Sequence, residues 1–385
     1  MRNFPLYFGE IIKAKFLKRE NRFIVTCSIH NNKTIQAHLP NPGRLWELLL
    51  PNSTLFISLC RIRNTTSYAA RKTKYTVLSV QKDSSIVFLH TQLTNKVAKY
   101  LIEEKLLPPL TDADIVKEEI LRGNSRFDFL LNENQQDHYL EVKSCTLFGN
   151  DVAMFPDAIT ERGKKHILEL AQMGKNGVKC SILFLVHCLD VTWFMPDFHT
   201  DYDFSIALIK SRKYLNIAAV AIGWNPDLTI SETIKPLEIP WRHIENEAKD
   251  KGSYLLILRV DKKRRINIGK LGQLDFNKGY YIYVGSAMNS LRSRIQRHVR
   301  KRKKMYWHID YLLNNVEKII PIPIRSSKRI ECEIATALST IMNQSHPGFG
   351  SSDCRCPTHL FYTRNNPLDM KSFHSVLQRF RMGHP

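Results

Sequence analysis

The chain has 385 residues, a formal charge of +21 and 43% hydrophobic residues, which fits two or three globular domains, each able to bury its own core. The longest apolar run, CSILFLV from Cys180, falls far short of the roughly 18 residues of a membrane span, and the first sixteen residues carry no secretion signal. A soluble protein kept in the cytoplasm is expected, with no membrane partner. The eight cysteines form no regular framework, and most fall in sequence that reads as core, so free thiols in a reducing compartment are the simpler account.

Charge divides unevenly along the chain. Residues 1–249 hold 32 Lys and Arg against 27 Asp and Glu, whereas residues 250–385 hold 25 against 9. Neutralising phosphates releases counterions and steers association, so the last third is the expected polyanion surface. A merely solvated basic face is the alternative.

In chain order, residues 1–85 contain short runs (RFIVTCSI, KTIQAHL, TLFISLC, KYTVLSV) rich in β-branched residues and broken by Asn, Pro, Gly and Ser. They predict an all-β unit, most economically closed as a five-stranded OB-like barrel, a shape that often binds single strands. Over residues 86–230 helical and extended patterns alternate: NKVAKYLIEEKL, RFDFLL, HYLEVKSCTLF, ITERGKKHILELAQMGKNG and KCSILFLV. These predict an α/β domain with a mixed sheet. The polar, proline-bearing residues 231–250 read as a linker, residues 251–365 as a small basic α/β domain opening with the strands SYLLILRV and YYIYVGS, and residues 366–385 as a tail. The basic stretch SLRSRIQRHVRKRKK reads as a helix, followed by helices at WHIDYLLNNV and ECEIATALSTIM.

The chemistry concentrates in residues 119–143. Strand alternation puts Glu141 and Lys143 on one face and Val142 on the other. Asp128, between Phe127 and Phe129, lies on a strand that a short polar turn joins to the first. Two converging carboxylates beside a lysine repel unless a cation neutralises them, and hard oxygen ligands suit Mg²⁺ or Mn²⁺. A metal so held polarises a phosphodiester and activates water, while Lys143 orients that water or neutralises developing charge. An ordinary salt bridge on a strand face is the competing reading.

The segments RFIVTC, AHLPNPGRL, EEILRGNSRFDFLL, YLEVKSCTL and FPDAITERGKKHILEL, in that order, resemble the SfsA (sugar fermentation stimulation protein) family over about residues 3–235. The resemblance implies a DNA-binding protein with an OB-like barrel followed by a PD-(D/E)xK nuclease-like domain. By that resemblance Asp128 and Glu141 are metal carboxylates, Lys143 is the catalytic lysine and Glu119 is an accessory acid. Thr160, Arg162 and His166 belong to the following helix motif and face the same site. His38, Asn41 and Arg44 match the barrel's loop motif and would contact nucleic acid. Read without the family, Arg162, Lys165 and His166 lie at helical spacings that suit either phosphate or solvent, and PNPGR is first of all a turn.

In the last third, Ser290–Lys304 carries eight Lys or Arg, among them Arg292, Arg294, Arg297 and Arg300. Nonspecific phosphate contact is the modest inference. Tyr254 and Tyr283, each in an apolar strand, read by themselves as core tyrosines. The order GSY, YVG, Arg294 four residues before His298, then Glu331, resembles a diverged GIY-YIG nuclease-type domain over about residues 252–363. That resemblance implies Tyr254 or Tyr283 in proton transfer, Arg294 on phosphate and Glu331 on a metal. Ser253 in place of the usual Ile departs from the pattern. Cys354, Cys356 and His359, with distant Cys332, are ligand types suited to Zn²⁺, but the C-x-C spacing favours free thiols over ligation.

Three functions follow as expectations: a metal-dependent DNA endonuclease, a nonenzymatic DNA-binding regulator, or an RNA-directed nuclease, since neither barrel nor basic helix excludes RNA.

Overall fold

The computed structural model describes residues 4, 6–59 and 73–383. It divides into two compact units, one comprising Met1–Asp197 with Asp203–Pro240 and the other Phe198–Tyr202 with Trp241–Pro385.

The first unit opens with the expected barrel. Its strands are β1 (Ile11–Asn21), β2 (Ile24–Ile29), β3 (Lys33–His38), β4 (Thr54–Leu59), β5 (Tyr75–Lys82) and β6 (Ser85–Phe88). β1 pairs with both β2 and β4, and β3 returns to lie parallel to β5, so five strands close on themselves while β6 extends the sheet. β1 has no counterpart among the predicted runs, because the Lys and Arg of IIKAKFLKREN mask its alternation; only Ala14 and Phe16 are buried. Cys60, expected in the core, lies outside the described residues.

The central domain follows: α1 (Thr94–Glu103), then β7 (Ala113–Arg122), β8 (Ser125–Glu133), β9 (Gln136–Cys145), β10 (Leu147–Gly149), β11 (Val152–Phe155), α2 (Glu161–Lys175), β12 (Lys179–Val186), β13 (Trp193–Pro196), α3 (Tyr202–Ser211), β14 (Asn216–Trp224) and β15 (Ile230–Pro236). Six of these strands form one mixed sheet in the order β15-β14-β12-β9-β8-β7, parallel only across β9, β12 and β14. β12 is an apolar run because both its faces are covered: Ile182, Phe184 and Val186 enter one core and Leu183 and Leu185 the other. β10, β11 and β13 make a small separate sheet.

The stretch expected as a linker carries structure. Residues up to Pro236 are β15, paired antiparallel to β14, and α4 (Trp241–Glu247) begins the second unit. Its prolines stand where a missing N–H costs little: Pro236 ends an edge strand and Pro240 immediately precedes a helix.

The second unit contains β16 (Gly252–Val260), β17 (Arg264–Asn267), β18 (Gln273–Phe276), β19 (Gly279–Ala287), α5 (Leu291–Val299), α6 (His308–Leu313), β20 (Lys318–Arg325), α7 (Glu331–Ser339), β21 (Asn343–Gln344), β22 (Leu360–Thr363) and α8 (Lys371–Arg381). The main sheet runs β20-β16-β19-β22-β21, and β17 and β18 form a separate hairpin. β20, KIIPIPIR, escapes a sequence reading because of Pro321 and Pro323, yet it pairs with β16 alone, where an edge strand tolerates proline. The predicted basic helix stops at Val299. Arg300 is already extended (ψ 133°), consistent with like charges three and four residues apart opposing further helix. The supposed tail contains α8, whose Phe373 and Leu377 are buried.

Among the described residues no helix is long and apolar enough to cross a membrane.

Gly174 shows how tightly α2 is seated. A Cβ built there would lie 1.9 Å from the Tyr214 carbonyl oxygen. Alanine is ordinarily better than glycine in a helix by about 1 kcal/mol; here the order should invert. Gly174→Ala is expected to destabilise the first unit by about 1–3 kcal/mol, read as a lower urea midpoint with unchanged slope.

Candidate functional site

The two-residue turn Asn134–Gln135 joins β8 to β9, both residues having left-handed φ of 54° and 65°, as a tight hairpin turn demands. It fixes the register Phe129↔Leu140. Continued by one residue, that register brings Asp128 across from Glu141. The ladder opens there: the Val142 N–H donates to Asp128 Oδ2 at 2.7 Å, and Asn95, in the first turn of α1, donates to Oδ1 at 2.7 Å. Phe127 and Phe129, on either side in sequence, are fully buried, one in each of the two cores.

Glu141 is 2% exposed. Its Oε1 is engaged by Lys143 Nζ and by His166 Nδ1, the latter at 2.5 Å. Its Oε2 is buried without a hydrogen-bond partner. Burial pushes the Asp128 carboxyl above its ordinary range and the nearby Glu141 charge adds to this, against the Val142 N–H, Lys143 and Asn95. Burial acts upward on Glu141 too, but the His166 hydrogen bond and the Lys143 charge outweigh it and hold that carboxyl low. Carboxylate oxygens are the ligand type of a hard divalent cation such as Mg²⁺ or Mn²⁺, and Asp128 and Glu141 are the residues that could hold one here, with Glu141 Oε2 the oxygen not already hydrogen-bonded.

The cleft has a volume of about 480 Å³, and Asp128, Glu141, Lys143 and Arg162 line it together with the barrel loop Asn41–Gly43. That loop is fastened from several sides. Asn41 is buried, and its Oδ1 accepts from the Gly43 N–H at 2.9 Å, closing the turn. Arg19 donates to the Gly43 and Arg44 carbonyls, both at 2.7 Å, and the Leu45 N–H donates to Asp157 Oδ2 at 3.2 Å. Thr160 caps α2, accepting from the Gly163 N–H at 3.1 Å, and so fixes the helix end from which Arg162 and His166 project.

Several expected residues stand elsewhere or have other duties. Glu119 does not line the cleft; it is turned to Arg126 at 3.1 Å in an exposed ion pair. His166 is buried against Glu141 and 3.4 Å from Arg162 Nε, which makes it a positioning residue and removes it from direct contact with nucleic acid. His38 stacks on Phe23 and Arg44 lies over Trp46; neither lines the cleft. Three residues that do border it, Arg22, Asn95 and Asp157, were not predicted. Asp157 was within reach of a sequence reading as the acid of FPDA, while Asn95 carries no signal beyond its helix.

In the second unit Tyr254, Tyr283, Arg294 and Glu331 line a cleft of about 470 Å³. Tyr254 is 1% exposed, its hydroxyl 2.8 Å from His298 Nε2. Arg294 lies over Trp307 with its guanidinium 4.4 Å from the ring centroid, and Glu331 is paired with Arg329. Arg297 is withdrawn from the expected phosphate surface. It forms a two-pronged pair with the buried Asp310 at 3.0 and 2.9 Å, which with His298 holds that carboxyl well below the ordinary range despite burial. Arg292 and Arg300 are exposed.

A closed barrel, a mixed-sheet α/β domain with an acid pair at an open ladder, and a small α/β unit define a three-module architecture. Residues 17–89 match the SfsA N-terminal OB domain, residues 92–227 the sugar fermentation stimulation protein RE domain, and residues 253–382 the domain of unknown function DUF123. The chain belongs to the sugar fermentation stimulation protein (SfsA) family. It is 39% identical over 204 residues to a homologue from Clostridium tetani, spanning 53% of this chain and 86% of that one. A homologue from Methanosphaera stadtmanae is 40% identical over 196 residues, 51% and 80% of the two chains. The solved structure of Pyrococcus furiosus SfsA in complex with Ca²⁺ superposes with a TM-score of 0.53 at 27% identity, covering 60% of this chain and 96% of that one.

Two tests bear on this site. Asn95→Ala frees one Asp128 oxygen and should weaken Mn²⁺ binding by about 10–100-fold with the fold intact, as read by calorimetric titration. For Asp157, burial and the Glu47 charge raise the carboxyl from 3.8 to about 6. The folded state thus binds the proton more tightly, so its contribution to stability is present below pH 3.8 and is lost as pH rises to about 6. Asp157→Asn should flatten that fall, gaining roughly 1–2 kcal/mol at neutral pH after allowance for solvent screening, measured by urea unfolding across pH.

Proposed function

We propose that this protein binds DNA and hydrolyses its phosphodiester bonds in a divalent-metal-dependent reaction at the cleft of Asp128, Glu141 and Lys143. The observation that carries the reading is the buried Oε2 of Glu141, which has no hydrogen-bond partner, in a cleft that Asp128 also lines. Like charges converging out of water are costly, and a cation is the economical remedy. The Ca²⁺ bound by the Pyrococcus furiosus relative supports a hard divalent ion in this fold. The OB barrel and the basic last third support a nucleic-acid partner.

Bound Mg²⁺ or Mn²⁺ supplies Lewis acidity at the phosphoryl oxygen and lowers the pKa of water. The chain's own residues do the rest. Asp128, locked by Asn95 and Val142, and Glu141, oriented by His166, present oxygens at fixed positions. Lys143 places an ammonium beside them to offset charge that builds on the phosphate in the transition state. Arg162, exposed at the cleft margin, offers a planar donor pair to a phosphate entering it.

A second reading places chemistry in the other unit, where the buried contact between Tyr254 and His298 beside Arg294 and Glu331 provides a proton-transfer pair, a phosphate ligand and a metal carboxylate.

Cleavage of labelled single-stranded and duplex DNA and RNA with Mg²⁺, Mn²⁺ or EDTA tests both. Asp128→Ala and Lys143→Ala should each lower the cleavage rate on the order of 100-fold or more while leaving salt-dependent binding in place. Cutting that survives both variants but is lost in Tyr283→Phe would move the reaction to the second unit. Firm, salt-sensitive binding with no cutting under any metal would instead mark a regulator, and preferential cutting of RNA would change the substrate.

A further inference from the structure

In the second unit three metal-ligating side chains close in sequence and a fourth from a helix upstream converge. Cys332 stands in the first turn of α7, Cys354 and Cys356 on the loop before β22, and His359 at the entry to β22. One ligand atom from each lies within 4.8 Å of all the others. Cys354 Sγ is 3.4 Å from His359 Nε2. Zn–S bonds of about 2.3 Å and Zn–N bonds of about 2.0–2.1 Å at tetrahedral angles separate S and N by about 3.6 Å and two sulfurs by about 3.8 Å, so the cluster has the scale of a filled tetrahedron. His359 is 2% exposed and the three cysteines are half-buried free thiols.

We propose that Cys332, Cys354, Cys356 and His359 form a closed structural site for a thiophilic divalent ion, zinc in the first instance. Three sulfurs and one imidazole exclude Mg²⁺ and Ca²⁺, which take oxygen. All four positions come from protein, leaving no vacancy for water, which marks a structural site. The C-x-C spacing that favoured free thiols in sequence is completed by a third sulfur from 22 residues upstream of Cys354.

Its role follows from what it joins. Cys332 directly follows Glu331, and the loop bearing Cys354 also bears Asp353. Arg329 already bridges Glu331 and Asp353, the latter at 2.7 Å. Gly350 of the same loop has a φ of 73°, and a Cβ there would lie 2.6 Å from the Tyr283 ring. Fastening this loop to α7 therefore fixes Glu331 and one wall of the cleft containing Tyr283 and Arg294. The ion acts on the shape of that cleft.

Full-length protein purified without chelator should carry about one zinc per chain by elemental mass spectrometry. After zinc removal, Co²⁺ titration of the wild type should give thiolate-to-metal charge transfer with the visible bands of tetrahedral Co²⁺. Cys332→Ser and Cys356→Ser should lose both signals, while Cys188→Ala in the first unit keeps them. Zinc removal should also speed protease cleavage within residues 344–358 by about tenfold, the ratio expected if the clamp contributes about 1.4 kcal/mol to local closure. Wild type that takes up no zinc and gives only a pale octahedral Co²⁺ spectrum would overturn the proposal, whatever the variants do. So would non-reduced peptides showing that Cys332, Cys354 or Cys356 is held in a disulfide in the freshly isolated protein.

Discussion

The cleft of the first unit depends on one constraint, the register between β8 and β9. Side chains alternate along a strand, so a slip of one residue would send Asp128 to the wrong face and bring Phe127 or Phe129 across from Glu141. The turn Asn134–Gln135 sets that register with two residues in left-handed conformations, and the hydrophobic residues around Asp128 enforce it from within. Positions of the acids, of Lys143 and of the bond from Val142 all follow.

Around this register the protein has built layers of support. Asn95 reaches from α1, His166 from α2, and the Thr160 cap sets the start of the helix that carries His166 and Arg162. The barrel residues Asn41–Gly43, in a loop held by Arg19 and Asp157, border the cleft as well. The barrel thus contributes a wall of the site as well as a surface of its own. With donors directed at both oxygens of Asp128 and at Oε1 of Glu141, Oε2 of Glu141 is the oxygen of the acid pair left without a hydrogen-bond partner.

Legibility in the sequence varied with the kind of interaction. Strands with period-two patterns and helices with apolar stripes could be read directly, and Glu141 and Lys143 on one face follow from strand geometry alone. Contacts between elements could not. Arg297 and Arg292 are equivalent in a charge count, yet only Arg297 meets Asp310, thirteen residues on. Asn95 looks like any polar residue of a helix. β1 and β20 were hidden for opposite reasons, one by its charges and one by its prolines, though both are ordinary strands once their neighbours are known. The four Cys and His ligands illustrate the same point, since a spacing judged unfavourable along the chain becomes a compact cluster when α7 is folded against the loop.

The prolines of β20 have a meaning beyond pairing. β20 ends the main sheet of the second unit, and a bare strand edge is a template on which another chain can add a strand. Pro321 and Pro323 deny that template two of its donors in a segment otherwise rich in isoleucine, the kind of sequence most prone to cross-chain pairing. An edge so interrupted is a poorer partner for another chain's strand than its isoleucines alone would make it.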